Sequence, residues 1–410
     1  MKILNFASAN IDYVYAVGHI LRPGETLPAR SMEIFPGGKG LNQSVAAAKA
    51  GGCVYHAGFI GSDGDFLVDI LESSGAKLPY LQRVPEKNGH AMIQVNDQGE
   101  NCIIIFQGTN GLFSEDYIDR ILADFGSGDY VMLQNEINNL PYILEKAAGK
   151  GLEVVLNPSP YTDGLRNLDL SRVSWLILNE TEAQGFFETE DPMQIRDSLK
   201  RWPKLKVVLT LGARGALCIT QSDLIRCPAY QVQAVDTTAA GDCFTGFFVA
   251  QLARGTDYEA ALKLASCASA LTVSRKGAAP SIPFLAEVEA AMPSMKAYPA
   301  ENGKKQLLRQ TMEAWLEEDP KHANLEALAR KLGYSKSYTG SLIREIFGKS
   351  FTQMLHKTRC DGAAKLLRET DLPVKEIAER VGYENESFFR RVFREYCGKN
   401  PQAYRKENLS

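Results

Sequence analysis

The eight cysteines of this 410-residue chain include no Cys-x-x-Cys pair, and its five histidines show no ligand spacing. Dispersed cysteines at Cys53, Cys102, Cys218, Cys227, Cys243, Cys267, Cys360 and Cys397 argue against a zinc ribbon and against a disulfide framework. Long apolar runs are missing too. None approaches the ~20 residues that a membrane span requires, and the opening Met1–Asn10 is broken by polar residues too early for a signal peptide. The expectation is a reduced cytoplasmic protein with no membrane partner. Net charge is also low, at -3, but unevenly spread: residues 301–410 carry 21 Lys+Arg against 16 Asp+Glu, and residues 1–300 carry 25 against 33. A basic tail on an acidic body suits a polyanion-binding module, although ordinary charge scatter gives a difference of this size.

What is present falls into two blocks. Length alone predicts two domains. Up to about residue 290, short apolar β-rich runs alternate with helix-compatible stretches, with Tyr130–Gln134, Glu153–Leu156, Trp175–Leu178 and Val207–Leu211 the clearest strands. That order predicts a parallel sheet covered on both faces. Two strand-like stretches break the rhythm, Tyr13–Phe35 and His90–Gln107, and are expected to pair as a small β lid. The Pro- and Gly-containing segment 291–304 is assigned as a linker, and 305–410 as an all-helical domain. Within it Leu325-Glu-Ala-Leu-Ala-Arg-Lys-Leu-Gly-Tyr334 is echoed by Val374-Lys-Glu-Ile-Ala-Glu-Arg-Val-Gly-Tyr383. Two tandem helix-turn-helix units follow from the repeat.

The segment richest in chemistry is Val235-Asp-Thr-Thr-Ala-Ala-Gly-Asp-Cys-Phe-Thr-Gly246. Small residues let successive backbone N–H groups face one concavity, and a helix starting there adds its positive end, so a phosphate is well received. Asp242 can accept the proton of an attacking hydroxyl while the Ala239, Ala240 and Gly241 amides face the transferring phosphoryl group. Taken from Gly-Asp alone, a helix cap explains the acid equally well.

The full string resembles the Asp-Thr-x-Ala-Ala-Gly-Asp signature of the ribokinase (PfkB) family of carbohydrate kinases. Phe35-Pro-Gly-Gly-Lys-Gly-Leu-Asn-Gln43 resembles that family's N-terminal Gly-Gly-Lys-Gly-x-Asn motif. It is no Walker loop, since Gly40 stands where Ser or Thr would follow the lysine. The resemblance covers residues 1–290 and implies an α/β fold, a ribokinase-like three-layer sandwich with a small β lid. It implies ATP and Mg²⁺ as cofactors, with K⁺ beside them. By position, Asn10, Asp12, Gly38, Lys39, Asn42, Glu136 and Asp242 would hold the sugar. Asn179, Glu182, Thr210, Gly212, Gly215 and Gly241 would serve nucleotide and Mg²⁺. Asn179 and Glu182, three apart, are placed on one helix face, with a simple cap as the alternative. Asp236, Thr238, Thr272, Arg275, Gly277 and Ser281 would surround a monovalent cation. His90 is expected to be structural.

In the tail, Leu325, Leu328, Ala329 and Leu332 form an apolar face ahead of a Gly333-Tyr-Ser335 turn, with Tyr338, Leu342, Ile343 and Phe347 on the buried side of the next helix. Ile377, Ala378, Val381, Phe388, Phe389, Val392, Phe393 and Tyr396 play the same part in the second unit. Ser337, Ser341, Arg344, Ser387, Arg390 and Arg391 are left outward as candidates to meet double-stranded DNA, with a plain helical bundle as the bland alternative. The stretch Gly382 to Arg405 resembles the C-terminal signature of AraC-family regulators, which implies two recognition helices joined by the helix around Phe351–Leu367. The sequence thus predicts an ATP-dependent sugar kinase, for ribose or a related pentose, coupled to sequence-specific DNA binding, with homodimer formation through the lid. A non-catalytic sugar sensor and a metabolic kinase with an assembly tail are the alternatives.

Overall fold

The computed structural model describes all residues except 99, 299–301, 333, 335 and 409–410, and all side chains of the remainder except 302–307, 310, 317, 337, 338, 345 and 407–408. The chain divides into two compact units, Met1–Tyr298 and Pro299–Ser410.

The first unit runs β1 (Lys2–Phe6), β2 (Asn10–Ala16), β3 (Ser31–Gly37), α1 (Lys39–Lys49), β4 (Cys53–Ile60), α2 (Asp65–Ser74), β5 (Lys77–Arg83), β6 (Gly89–Val95) and β7 (Asn101–Phe106). It continues α3 (Glu115–Leu122), β8 (Tyr130–Gln134), α4 (Leu140–Gly149), β9 (Glu153–Asn157), β10 (Trp175–Asn179), α5 (Glu180–Phe187), α6 (Pro192–Ser198) and β11 (Lys206–Thr210). It closes with β12 (Ala216–Ile219), β13 (Leu224–Cys227), α7 (Ala240–Ala253), α8 (Tyr258–Val273) and α9 (Leu285–Ala291). The main sheet has the order β13-β12-β11-β10-β9-β8-β1-β4-β5. It is parallel apart from the antiparallel β12 and β13 at one edge.

Alternation along the strands decides the layering. Val131 and Leu133 pack with Ile118, Ile143 and Leu144 on one face, while Met132, Val155, Ile177 and Val208 pack with Val45, Phe247 and Phe248 on the other. Both faces are therefore apolar and both must be covered, which gives helix, sheet, helix. Helix α7 lies wholly inside its layer, and burying Phe247 and Phe248 contributes about 1.5–3 kcal/mol each. A buried helix of this kind fixes its N-terminus firmly, and the phosphate-facing motif sits there.

The two stretches that broke the sequence rhythm form a separate four-stranded sheet, β3-β2-β6-β7. Its outer strand β7 has every residue exposed, and Ile103, Ile104, Ile105 and Phe106 are 48%, 63%, 55% and 53% accessible. Residues 292–298, placed in the linker from sequence, pack on the first unit instead. Gln231 N donates to Lys296 O and Tyr298 N to Ala229 O, both at 2.8 Å, because the short Tyr230–Ala297 bridge gives their backbone partners.

The second unit comprises α10 (Asn302–Glu318), α11 (Leu325–Leu332), α12 (Lys336–Phe347), α13 (Phe351–Glu369), α14 (Val374–Arg380), α15 (Glu386–Cys397) and α16 (Pro401–Asn408). It has two small cores. Met312, Leu316, Leu328, Leu342 and Ile343 join Met354 and Leu355 of α13, whereas Ile377, Phe389, Val392 and Phe393 join Cys360, Ala363 and Leu367 of the same helix. Helix α13 is the shared spine of the two halves. Arg359 on it ties them further: Nε donates to Pro320 O at 2.8 Å and Nη2 to Lys321 O at 2.9 Å, and its guanidinium lies over the Tyr383 ring. Gly382 turns the second half with φ of 94°, at a point where a Cβ would meet Lys321 Cα at 2.8 Å, so both conformation and space require glycine.

Candidate active site and nucleic-acid interface

The two glycine-containing motifs, some two hundred residues apart, meet at the adjoining N-terminal ends of α1 and α7. Asp242 is buried, with Oδ2 accepting from Asn42 Nδ2 and Oδ1 from Gln43 Nε2, both at 3.0 Å. Ala239 begins α7 in the left-handed region with φ of 58° and offers no side-chain cap, a strain of roughly 1–3 kcal/mol for a non-glycine residue. The backbone amides of the first turn are thereby left facing the cavity that Ala239, Ala240, Gly241 and Asp242 line. Ala240 N has a long contact, 3.3 Å, with Thr237 O.

On the other side Gly38 precedes α1 with φ of 90°, and a Cβ there would lie 3.0 Å from Asn10 N. The close approach brings Asn10, Asp12, Lys39 and Glu136 around one space. Glu136 Oε2 accepts from Ser8 Oγ at 2.5 Å and from Lys39 N at 2.8 Å. Asn10 Oδ1 accepts from Asn110 Nδ2 at 2.7 Å, which leaves the Asn10 amide nitrogen as its free donor. Asn42 was placed at the sugar by position. One hydrogen of its amide is instead committed to Asp242, and its buried Oδ1 has no protein partner, so that oxygen and the second amide hydrogen remain for a ligand.

Electrostatics follow from this crowding. Burial, with Glu136 and Asp242 adding to it and Lys39 opposing, pushes the Asp12 carboxyl up to about 7. Burial likewise raises Glu136 against the pull of its Ser8 and Lys39 contacts. Lys39 is held by competing effects: burial works against its charge, but Asp242, Glu136, Glu182 and Asp12 together outweigh it and raise its pKa. Its side chain lines the same cavity of about 210 Å³ as Asn179, Glu182, Thr210 and Gly241.

Asn179 and Glu182 both line that cavity and together form the cap weighed from sequence. Asn179 is the N-cap of α5 in extended conformation, accepting from Glu182 N at 2.9 Å, while Glu182 Oε2 accepts from Asn179 N at 3.0 Å. This reciprocal cap anchors both residues at the cavity. A neighbouring, mostly apolar cavity of about 350 Å³ is lined by Thr210, Gly212, Gly215, Tyr230, Val232, Phe244, Ser269, Val273 and Tyr298. Of these only Thr210, Gly212 and Gly215 were singled out by sequence. Phe244 belongs to the Val235–Gly246 motif, and the rest come from other segments with no shared motif.

Around Asp236 the structure brings two loops together. Asp236 Oδ1 accepts from Thr238 N and Oγ1, at 2.9 and 2.6 Å, and Oδ2 from Gly277 N at 3.0 Å. Although burial alone would raise it, these bonds and Lys276 hold its carboxyl below the usual range. The hydroxyls of Thr272 and Ser281 turn elsewhere, donating to Ala268 O and Ala278 O, and Arg275 pairs with Glu287 at 3.0 Å. The Arg275 side chain is thus spent locally, whereas the Thr272 and Ser281 hydroxyls have given only their hydrogens and keep acceptor oxygens beside the backbone oxygens of the loop. Among the described residues no cluster of three or more His, Cys, Asp or Glu could hold a metal ion. His90 stacks beside Phe106 and meets Tyr13 edge-on in the lid.

In the second unit Ser341, Arg344, Ser387 and Arg391 are exposed, while the side chain of Ser337 and the turn residues Gly333 and Ser335 lie outside the described residues, as does the Tyr338 side chain. Arg390 is drawn back by Glu386 Oε1, at 2.8 and 2.7 Å from Nε and Nη2. Phe388 and Tyr396, expected inside, are 39% and 36% accessible. The Phe388 ring lies against His356 and Tyr383 and beneath Arg391, at the rim of the small core.

A family model described as pfkB family carbohydrate kinase matches residues 2–285, and one for a helix-turn-helix domain matches residues 328–407. The chain is 34% identical over 300 residues to a deoxyribokinase of Salmonella typhi, covering 70% of this chain and 96% of that protein. It is 33% identical to a ribokinase of Staphylococcus aureus, covering 70% and 98%. Among solved structures, a ribokinase of Cryptococcus neoformans in complex with ADP matches with a TM-score of 0.63 at 33% identity over 70% of this chain and 99% of that one. A ribokinase of Arabidopsis thaliana complexed with ribose and ATP matches with a TM-score of 0.62 at 30% identity over 71% and 98%. No helix among the described residues is long and apolar enough to cross a membrane.

Proposed function

Because the chain belongs to the pfkB family of carbohydrate kinases and carries an AraC-type helix-turn-helix domain behind the kinase, we propose that it is a sugar-responsive transcription regulator whose sensory unit phosphorylates a pentose, ribose or 2-deoxyribose, at a primary hydroxyl. The observation that carries this reading is the buried Asp242 carboxylate, held by two amide donors at the foot of an uncapped helix N-terminus. A base and an anion-receiving surface on one helix turn are what in-line phosphoryl transfer asks of a protein.

In this scheme Asp242 accepts the proton of the sugar hydroxyl. Asn10, Asp12, Gly38, Asn42 and Glu136 supply oriented contacts to the remaining hydroxyls, and the unpartnered Asn42 Oδ1 supports a hydroxyl donor beside it. Lys39 and the Ala239, Ala240 and Gly241 amides receive charge developing on the phosphoryl oxygens. The apolar cavity walled by Tyr230, Val232, Phe244 and Tyr298 suits an adenine ring, with Gly212 and Gly215 at its edge. Mg²⁺ would neutralise charge on the phosphate groups, and Glu182, beside Asn179, would hold it, chiefly through water, as this ion prefers. For K⁺ the oxygens of Asp236, Thr238, Thr272, Gly277 and Ser281 would be the ligands, the Arg275 side chain being paired with Glu287, and no step is drawn through it.

The lid supports a further element of the reading. Strand β7 is an open edge whose Ile103–Phe106 run is about half exposed, and pairing with a second copy would cover it. Ile104→Lys is expected to give monomers in sedimentation velocity where the natural chain gives dimers. The exposed Ser341, Arg344, Ser387 and Arg391 support contact with two successive major grooves.

Regulation requires that sugar or nucleotide favour one arrangement of the DNA-binding units. The test is to select binding sites from random duplexes and to titrate the winner with and without ribose, 2-deoxyribose and ATP. A ligand-dependent change in affinity supports the reading. Equal affinity in every condition removes the regulatory part of it.

A further inference from the structure

Asp242 is not held in place by its own motif. Gln43 Nε2 donates to Asp242 Oδ1 at 3.0 Å and to Asn157 Oδ1 at 2.9 Å, while Gln43 Oε1 accepts from Gln134 Nε2 at 2.8 Å. Gln134 Nε2 donates its second hydrogen to Asn5 Oδ1 at 3.1 Å, and Asn5 Nδ2 donates to Gly40 O and Ser44 Oγ, each at 2.9 Å. Asn5, Gln43, Ser44 and Gln134 are all fully buried.

A primary amide has one donor end and one acceptor end, so each link dictates the next. Gly40 O can only accept, which turns the Asn5 NH₂ toward it and the Asn5 oxygen toward Gln134. Gln134 then presents its NH₂ to Gln43, whose oxygen is thereby engaged. The Gln43 NH₂ is left for Asp242. The ambiguity that usually attends an amide orientation is removed here by an obligate acceptor at each end of the chain, a backbone carbonyl and a carboxylate. Ser44 Oγ accepts from Asn5 and shares a further hydrogen bond of 2.9 Å with His56 Nδ1, its direction set by the tautomer of the ring. Burial keeps that imidazole neutral, pushing its pKa down to about 3, so the far end of the chain also has a fixed protonation state.

We propose that Gln43 is a positioning residue for phosphoryl transfer, and that the buried chain Asn5–Gln134–Gln43 fixes the direction in which it donates to Asp242. The inference rests on Asp242 being the base. It assigns Gln43 no contact with substrate. Asn42 and Gln43, adjacent at the start of α1, grip one oxygen each, so the carboxylate is fixed in plane as well as in place. A pair of sequential amides on one rigid helix turn does this without a flexible loop.

The test is the Gln43→Leu variant of the full chain, measured for turnover and sugar affinity. The expected result is a fall in kcat of roughly 10- to 100-fold with the sugar KM little moved, since a carboxylate gripped by one amide instead of two is free to turn out of plane. Gln134→Leu should act in the same direction more weakly, and the double variant should be no worse than Gln43→Leu, because both cut one chain. An unchanged kcat in Gln43→Leu, or losses that multiply in the double variant, would overturn the proposal. Where Gln43→Leu does not fold by circular dichroism, Gln43→Asn, too short to span both partners, takes its place.

A readout without turnover separates this inference from the kinase reading. The side-chain ¹⁵N–¹H signals of Asn42, assigned by their loss in Asn42→Ala, should move in Gln43→Leu, because the Asp242 carboxylate that Asn42 grips is no longer held by its second donor. Signals that stay where they were sink the role of Gln43 even in an active enzyme. Absence of any turnover in the natural chain sinks the reading above while leaving this shift to be measured.

Discussion

At the foot of α7 each carboxylate meets named donors on other elements: Asn42 and Gln43 for Asp242, Ser8 and the Lys39 amide for Glu136. On α12 and α15 the candidate DNA-contacting side chains Ser341, Arg344, Ser387 and Arg391 stand in water, and Arg390 answers only to Glu386 one turn away. The difference lies in what each region must do before its ligand arrives. A reaction centre has to be set in advance, so both Asp242 oxygens carry donors, while the buried oxygens Asn42 Oδ1 and Gln134 Oε1 stay open. A DNA-reading face meets its partner late and gains most of its affinity from phosphates, so long cationic side chains can stay free.

The comparison can be broken in four places, taken from the largest effect down. Asp242→Ala should lower kcat by roughly 100- to 10,000-fold while leaving duplex binding by the free protein unchanged in fluorescence anisotropy. A loss of DNA binding in that variant would mean that the two regions are not separable as described.

Asp12→Asn tests whether the site is held at a cost to stability. The ordinary value of 3.8 is raised to about 7, so between those values the unfolded chain gives up its proton first. Stability is therefore fully present below pH 3.8 and lost as pH rises through about 7. The asparagine variant should be more stable at pH 8 by on the order of a few kcal/mol, with the gap closing toward pH 4, while sugar affinity falls. Thermal melts at the two pH values read this directly.

Arg391→Ala should weaken binding to the selected duplex by about 1–3 kcal/mol, with turnover unaffected. Glu386→Ala should change the stability of the second unit by only about 0.3–0.5 kcal/mol, the scale of a solvent-exposed i,i+4 pair. It should, however, free Arg390 and alter base preference in a repeated selection. An unaltered preference would mark Glu386 and Arg390 as a surface pair without a role in readout.

Much of this was legible from sequence for identifiable reasons. Tyr130–Gln134 and Trp175–Leu178 read as strands because both sheet faces are buried and every position along them except Gln134 is apolar. Asp242, Gly38 and Lys39 stood out because the whole strings around them, Val235–Gly246 and Phe35–Gln43, carry small residues and polar groups in a fixed order that a simple helix cap does not require. The tandem turn motifs declared themselves by repetition.

What escaped was everything that depends on partners far along the chain. Asn42 looked like a sugar ligand, and nothing in its neighbours shows that its donor belongs to Asp242, or that Gln43 beside it grips the same carboxylate. The apolar cavity joins Phe244 of the Val235–Gly246 motif to Tyr230, Val273 and Tyr298 from three other segments, none of those three with a pattern of its own. By contrast, the Asn179 and Glu182 cap and the Glu386 and Arg390 pair were readable from spacing of three and four, where local rules competed with the motif and described the contacts correctly.

The central claim is that the first unit transfers phosphate to a sugar. The direct measurement is identification of the product by mass spectrometry and ³¹P NMR after incubation of the full chain with ATP, Mg²⁺ and ribose or 2-deoxyribose. The account predicts ADP together with one sugar monophosphate esterified at the primary hydroxyl, both absent with Asp242→Ala. ADP and inorganic phosphate without a phosphosugar, or no ADP from any pentose that the protein binds, would contradict it.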